Sequence, residues 1–172
     1  MASRPDVAFL RQVPIFKDVD EQVLLALWPS LRERRLRKGE VIFREGDPGD
    51  ELFVIFSGSV VVSKPVTGRV EQVLNRLGQG EVFGEMSVFG DEQRRSATIQ
   101  AETDTVLYWL DRANLEELIK ENPRAATAFF KQLVQVFIKR LRDSSDLVAE
   151  VTRWGLEATG LNVDQHPGSS GH

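Results

Sequence analysis

From Val41 to Leu110 the apolar residues fall in short runs of strand length. These are VIF (41–43), ELFVIF (51–56), SVVVSK (59–64), VEQVLNRL (70–77), SATIQA (96–101) and TVLYWL (105–110), and GDPGD, SG, PVTG and GQG stand among the turns between them. Parallel strands need crossovers of a dozen or more residues, usually a helix, and most of these gaps are far shorter. The pattern therefore predicts an antiparallel roll or barrel rather than alternating βαβ units.

Helical patterns flank the strands. From Asp6 to Leu36, apolar residues recur at three- and four-residue intervals: Phe9, Leu10, Val13 and Phe16, then Val23, Leu24, Leu27 and Leu31. Pro14 separates two helices here, and Asp20 suits the N-cap of the second. Beyond Arg112 one short helix is expected. Asn122-Pro123 then opens a long one that reaches about Leu156, with Asn122 as N-cap and Pro123 in the first helical position. Along this helix Phe130, Val134, Phe137, Leu141, Val148 and Val151 step like the seam of a two-stranded coil, interrupted at Ser144. The stripe could also pack on the roll. The helix is too long to lie wholly on its own domain, so a homodimer is expected. These signals assign one domain to 1–156, made of N-terminal helices (6–36), a β-roll (38–111) and C-terminal helices (112–156), followed by a flexible tail (157–172).

Composition narrows the chemistry. With 172 residues, 41% of them hydrophobic, the chain can bury one good core. A formal charge of −4 argues against a general nucleic-acid binder, which needs a basic face. There is no cysteine, and both histidines, His166 and His172, lie in the tail. Neither a metal site built on histidine or thiolate nor a Ser–His or Cys–His pair is available, so no enzyme is expected. The N-terminal residues lack an apolar signal core and no run reaches membrane-spanning length, which predicts a cytoplasmic protein.

The most concentrated chemistry lies in GEVFGEMSVFGDEQRRSAT, residues 80–98. Glycines 80 and 84 allow tight turns and close backbone approach. If residues 85–89 form a helical turn, their free amides at the positive end of the dipole suit an anion. Arg95 could add a planar two-pronged donor, and Ser96 a hydroxyl. A carboxylate at Glu85 is repelled by a phosphate but can accept from a sugar hydroxyl beside it. Together these read as a site for a ribose carrying a phosphate. The same residues also suit an ordinary surface loop in which Glu85 caps the short helix and pairs with Arg94 or Arg95.

Phe83-Gly84-Glu85-Met86-Ser87 and Arg95-Ser96-Ala97-Thr98 closely resemble the phosphate-binding cassette of the cyclic-nucleotide-binding domain family, the family of catabolite activator protein and the regulatory subunits of protein kinase A. Arg44-Glu45-Gly46-Asp47, Leu52-Phe53-Val54-Ile55, Ser57-Gly58-Ser59-Val60 and Leu77-Gly78-Gln79-Gly80 extend the resemblance over about residues 8–150. It implies an α+β fold, a jelly-roll-like antiparallel β-roll (double-stranded β-helix) flanked by N-terminal helices and a long C-terminal helix. It also implies that Glu85 accepts from the ribose 2′-OH and Arg95 pairs with the cyclic phosphate. The Gly84 and Met86 amides, the Ser96 hydroxyl and the Ala97 amide would complete the cradle. Val62, Leu74 and Leu77 would lie against the purine, although each also suits the core. Arg94 is left as a surface residue. Ser144 and Ser145, in a stretch resembling the part of the activator protein's helix that touches adenine, become candidate base contacts. Serine rather than threonine at 96 favours cAMP over cGMP.

The implied function is a cyclic-nucleotide sensor. After about Leu156 only a short polar tail follows, so no DNA-binding output is expected from this chain, and signalling would run through an unidentified protein partner. The alternative is a constitutive dimerisation or docking module of the same fold that binds a cyclic dinucleotide or no cyclic mononucleotide. No cofactor is expected; the ligand of the sensor would be cAMP, or cGMP.

Overall fold

The computed structural model describes residues 7–27, 30–67, 70–89 and 93–158. In chain order they form α1 (Val7–Leu10), a 3-10 turn (Pro14–Phe16), α2 (Glu21–Leu27), β1 (Arg32–Leu36), β2 (Val41–Phe43), β3 (Glu51–Ser57), β4 (Val60–Thr67) and β5 (Val70–Leu77). There follow β6 (Val82–Phe83), α3 (Glu85–Phe89), β7 (Thr98–Ala101), β8 (Thr105–Asp111), α4 (Arg112–Glu121) and α5 (Pro123–Ala158). The strands pair antiparallel into two four-stranded sheets, ordered β1-β8-β3-β6 and β2-β7-β4-β5. This is the antiparallel roll with flanking helices.

The core lies where the two sheets face each other. Leu36, Phe53, Ile55, Phe83 and Leu107 come from one sheet, and Ile42, Val60, Leu77, Ile99 and Ala101 from the other. Phe53 and Phe83 stack with ring centroids 5.0 Å apart, a contact worth about 0.5–1.5 kcal/mol beyond its burial. Strand β3 is buried on both faces. Phe53 and Ile55 point into the roll, while the alternate residues Leu52 and Val54 are equally inaccessible. Phe56 meets the ring of Phe9 from α1 at 4.6 Å, so an N-terminal helix lies against this strand. That double burial explains why ELFVIF reads as a continuous apolar run rather than an alternating one.

One boundary is corrected. Residues 32–36, expected in the N-terminal helices, form strand β1, paired from Arg32↔Trp109 to Leu36↔Thr105. Arginine and glutamate favour helices only weakly, and burial of Leu36 in the roll together with a full ladder to β8 overrides that preference. The Arg32 guanidinium sits 5.0 Å from the Trp109 ring centroid, and the exposed charges blunt a sheet edge. The two-residue β6 was also too short to be read from the sequence. Helix α5 continues through Glu157 and Ala158, two residues into the expected tail. The rest of that tail, with both histidines, lies outside the described residues, as do Gly90, Asp91 and Glu92.

The helix caps fall where the chemistry asks for them. The Asp20 carboxylate accepts from the Gln22 amide at 2.9 Å, and Pro123 opens α5. At α4 the Asp111 carboxylate accepts from the Asn114 amide at 2.9 Å. Asp111→Ala is expected to cost about 1 kcal/mol of stability, read as a lowered thermal midpoint; Asp111→Asn, which keeps an acceptor, should recover most of it.

The chain divides into two compact units, Met1–Gln132 and Leu133–His172. The described residues of the second are the distal part of α5. On it Val134, Phe137, Leu141 and Val148 are exposed apolar residues at three-, four- and seven-residue spacing. Among the described residues, no helix is long and apolar enough to cross a membrane.

Candidate functional site

Strand β6 delivers the chain to the site, with Phe83 opposite Phe53 in the ladder. Gly84 then turns it with φ +82°. A β-carbon at this position would lie 2.6 Å from the Glu51 carbonyl oxygen and 3.0 Å from Arg95 Nη1. Helix α3 begins at once with Glu85, which is buried. Ser87 is also buried, and its hydroxyl donates to the Gly84 carbonyl at 2.9 Å. At the far end of α3, Arg112 Nη2 donates to the Ser87 carbonyl at 2.9 Å, a cation on the negative end of a helical turn. Phe89 packs against Phe130 at 5.4 Å and Phe129 at 6.3 Å, on the first turns of α5, and Phe129 reaches Phe16 at 6.0 Å. The cassette helix thus touches the start of the C-terminal helix through one aromatic side chain.

The return strand brings the arginine pair. Arg94 bridges to Pro48 and donates to the Gly46 carbonyl at 2.8 Å from an exposed position. Arg95 binds the same loop through its backbone, its amide donating to the Asp47 carbonyl at 2.9 Å and its carbonyl accepting from the Gly46 amide at 2.8 Å. Its side chain turns inward and retains 3% exposure. Nη1 donates to the Glu51 carbonyl at 2.9 Å and to Ser87 Oγ at 2.7 Å. Nη2 forms an ion pair with the Glu51 carboxylate, and the guanidinium carbon lies 4.2 Å from the Phe43 ring centroid. Burial pushes the pKa of Arg95 below its ordinary value, while the negative charges of Glu51, Asp50 and Asp47 oppose that shift. The group remains a cation at physiological pH, since an arginine starts so far above it.

The expected residues divide into three groups. Gly84, Glu85, Met86, Arg95, Ser96 and Ala97 come together: the Ser96 hydroxyl donates to the exposed Met86 sulfur at 3.3 Å, and Ala97 is buried beside it in sequence. Val62, Leu74 and Leu77 all lie on the β4–β5 pair but differ in exposure. Val62 is half-buried against the core and pairs with Ile99, and Leu77 is a core residue. Leu74, 45% exposed, is the extra residue where the β4–β5 register skips from Val62↔Asn75 to Ser63↔Val73. Ser144 and Ser145 lie on the second unit, both exposed, and the Ser145 hydroxyl donates to the Leu141 carbonyl at 2.9 Å within the helix.

Three residues around Arg95 escaped the sequence reading. In the sequence Ser87 stands only as part of the cassette pattern, Glu51 as the start of a strand, and Gly49 within a turn signal. A β-carbon on Gly49 would lie 2.1 Å from Arg95 Nε, so only glycine leaves room for the guanidinium there. Three carboxylates within GDPGDE were the one available hint that this turn faces a cation.

Comparison with known proteins identifies the family. The family model for the cyclic nucleotide-binding domain matches residues 33–122, and the chain belongs to that family. A CRP-like cAMP-activated global transcriptional regulator of Mycobacterium tuberculosis is 30% identical over 142 residues, covering 83% of this chain and 61% of the regulator. A cGMP-dependent protein kinase of Drosophila melanogaster is 36% identical over 64% of this chain and 12% of its own length. The crystal structure of a cyclic nucleotide-binding domain from Methylobacillus flagellatus superposes with a TM-score of 0.75 at 26% identity, over 84% of each chain. The chain therefore spans 61% of the regulator's length and a far smaller part of the kinase's.

Proposed function

We propose that this chain is a non-enzymatic sensor that binds cAMP in the cassette at residues 84–97 and signals through protein contacts. The observation that carries the reading is a buried arginine and a buried carboxylate, Arg95 and Glu85, held beside the left-handed turn at Gly84. A cyclic ribose phosphate needs such a pair, one cation for the phosphate and one acceptor for the 2′-OH. In this reading the amides of Gly84, Met86 and Ala97 and the Ser96 hydroxyl complete the cradle, and Val62 and Leu74 take the purine, backed by Leu77. The relatives bear names of both cAMP and cGMP proteins, so the preference for cAMP rests on serine at 96. Phe89 offers a physical route from the cassette to α5, along which the ligand shifts the equilibrium by its differential affinity for two arrangements. The exposed stripe on the second unit supports a homodimer, in a cytoplasmic protein whose downstream partner is defined by that surface or by the N-terminal helices.

The competing reading, a docking module that binds a cyclic dinucleotide or nothing, is favoured by one observation: Arg95 is already ion-paired to Glu51. A thermal-shift panel separates the two. At a hundredfold excess over Kd, cAMP is expected to stabilise by about 2.7 kcal/mol, a rise of roughly 5–10 °C for a chain of this size. An equal response to cGMP would remove the preference. A response to cyclic di-GMP alone, or to none of the three, would establish the docking module instead. Solution mass measured on the same samples is expected to be that of a dimer, and a monomer at all concentrations would refute that assignment.

A further inference from the structure

The guanidinium of Arg95 is surrounded more completely than a waiting ligand site requires. Both donors on Nη1 are used, by the Glu51 carbonyl and by Ser87 Oγ. Nη2 faces the Glu51 carboxylate, and Nε is buried with no hydrogen-bond partner among the described residues. The parallel pair Nε–H and Nη2–H is the edge by which an arginine grips two oxygens of one phosphate. Here that edge lies against Gly49, whose β-carbon would stand 2.1 Å from Nε and 2.4 Å from Nη2.

We propose that Glu51 is an affinity-setting residue, an internal carboxylate that competes with the ligand's phosphate for Arg95. The inference rests on the reading of residues 84–97 as a cyclic-phosphate site. For a phosphate to take the two-pronged edge, Glu51 must yield Nη2 and the guanidinium must lift off Gly49. The two partners are unequal in a way that makes the exchange reversible. The Glu51 side chain is 33% exposed and turns into water at small cost, whereas the Arg95 side chain is 3% exposed and keeps its charge compensated only by trading one anion for another. A site whose open form is populated for a fraction of the time binds with its intrinsic affinity reduced by that fraction. Glu51 sets the fraction. Asp50 and Asp47, which also act on Arg95 through their charge, add to the repulsion that an incoming phosphate meets. Only a ligand that brings a further contact, such as a ribose hydroxyl on Glu85, is then able to win the arginine. The carboxylate thus discriminates against simple anions.

The test uses the full chain and cAMP, by calorimetry and stopped-flow binding. Glu51→Gln keeps shape and removes charge. It is expected to bind cAMP about tenfold more tightly, with the gain in the association rate and the dissociation rate unchanged, as when a competing closed form is depleted. Glu51→Asp, which retains the charge on a shorter stem, should fall between, and Gly49→Ala, which denies the guanidinium its resting place, should also tighten binding. Inorganic phosphate at millimolar concentration should fail to compete with cAMP in the wild type and begin to compete in Glu51→Gln. If the wild type binds cAMP and Glu51→Gln binds equally or more weakly, Glu51 positions Arg95 for the ligand and the competition is refuted. If neither protein binds cAMP or cGMP, the cyclic-phosphate reading itself falls, and the competition with it. Should Glu51→Gln be unfolded by circular dichroism, the same comparison is decided by Glu51→Asp.

Discussion

Arg95→Ala is expected to lose cAMP binding by a factor of about 100 or more, and to lower the thermal midpoint without unfolding the chain. The two effects have different origins. Binding fails because the two-pronged donor for the phosphate is gone, and no neighbour replaces it: Arg94 is held outside by the Gly46 carbonyl. Stability falls because Arg95 is a structural link as well. Its removal strips partners from Ser87 Oγ and the Glu51 carbonyl and exposes the face of Phe43. Hydrogen bonds to a charged group contribute about 1.5–3 kcal/mol each when buried, but the Glu51 carboxylate turns to solvent, so a net loss of about 2–3 kcal/mol is the reasonable expectation. The fold survives because the apolar cluster that joins the two sheets keeps its own contacts, the guanidinium touching it only at the faces of Phe43 and Phe53. Arg95→Lys should retain more stability than affinity, since a point charge cannot reproduce the fork. Melting curves with and without cAMP check both halves. An equal upward shift in wild type and Arg95→Ala would show that the phosphate is held elsewhere.

The residues alone leave Arg94 and Arg95 interchangeable, and the resemblance separates them by their position relative to Ser96-Ala97-Thr98; the structure has Arg94 exposed and Arg95 buried. Most of the strands were readable from the sequence, since their alternating or continuous apolar runs reflect a local period. What escaped depends on distance in the chain. Glu51 and Arg95 are 44 residues apart, and nothing in GDPGDE marks which carboxylate turns inward; that is fixed by β3 entering the roll. Strand β1 is not legible as a strand because RERRLRK has a single core residue, Leu36, and one apolar side chain cannot define a period. Its pairing with β8, some seventy residues on, decides the matter. Leu77 lay on the boundary between the two kinds of information. Its place in β5 followed from the pattern, but whether it faces the ligand or the core depends on the bulge at Leu74, which only the register with β4 reveals.

Gly84→Ala should be the most damaging single methyl group in the cassette. At φ +82° an alanine is strained by about 1–2 kcal/mol, and space is the larger difficulty. The new carbon would sit 2.6 Å from the carbonyl oxygen of Glu51, on a strand locked between two neighbours in its sheet, and 3.2 Å from Phe53 Cδ2. The backbone of β3 cannot retreat without breaking its ladders to β6 and β8, so α3 has to move instead. That shift pulls the Gly84 carbonyl from the Ser87 hydroxyl, and Ser87 from Arg95. A loss of about 3 kcal/mol or more follows, with a midpoint lowered by roughly 6–12 °C and cAMP binding abolished even though every charged ligand-binding side chain is still present. Gly78→Ala provides the control: its added carbon meets nothing within 4 Å, and melting and binding should both stay close to wild type. If Gly84→Ala behaves like Gly78→Ala, the left-handed turn is not what fixes α3, and the geometry ascribed to the cassette is wrong at its first residue.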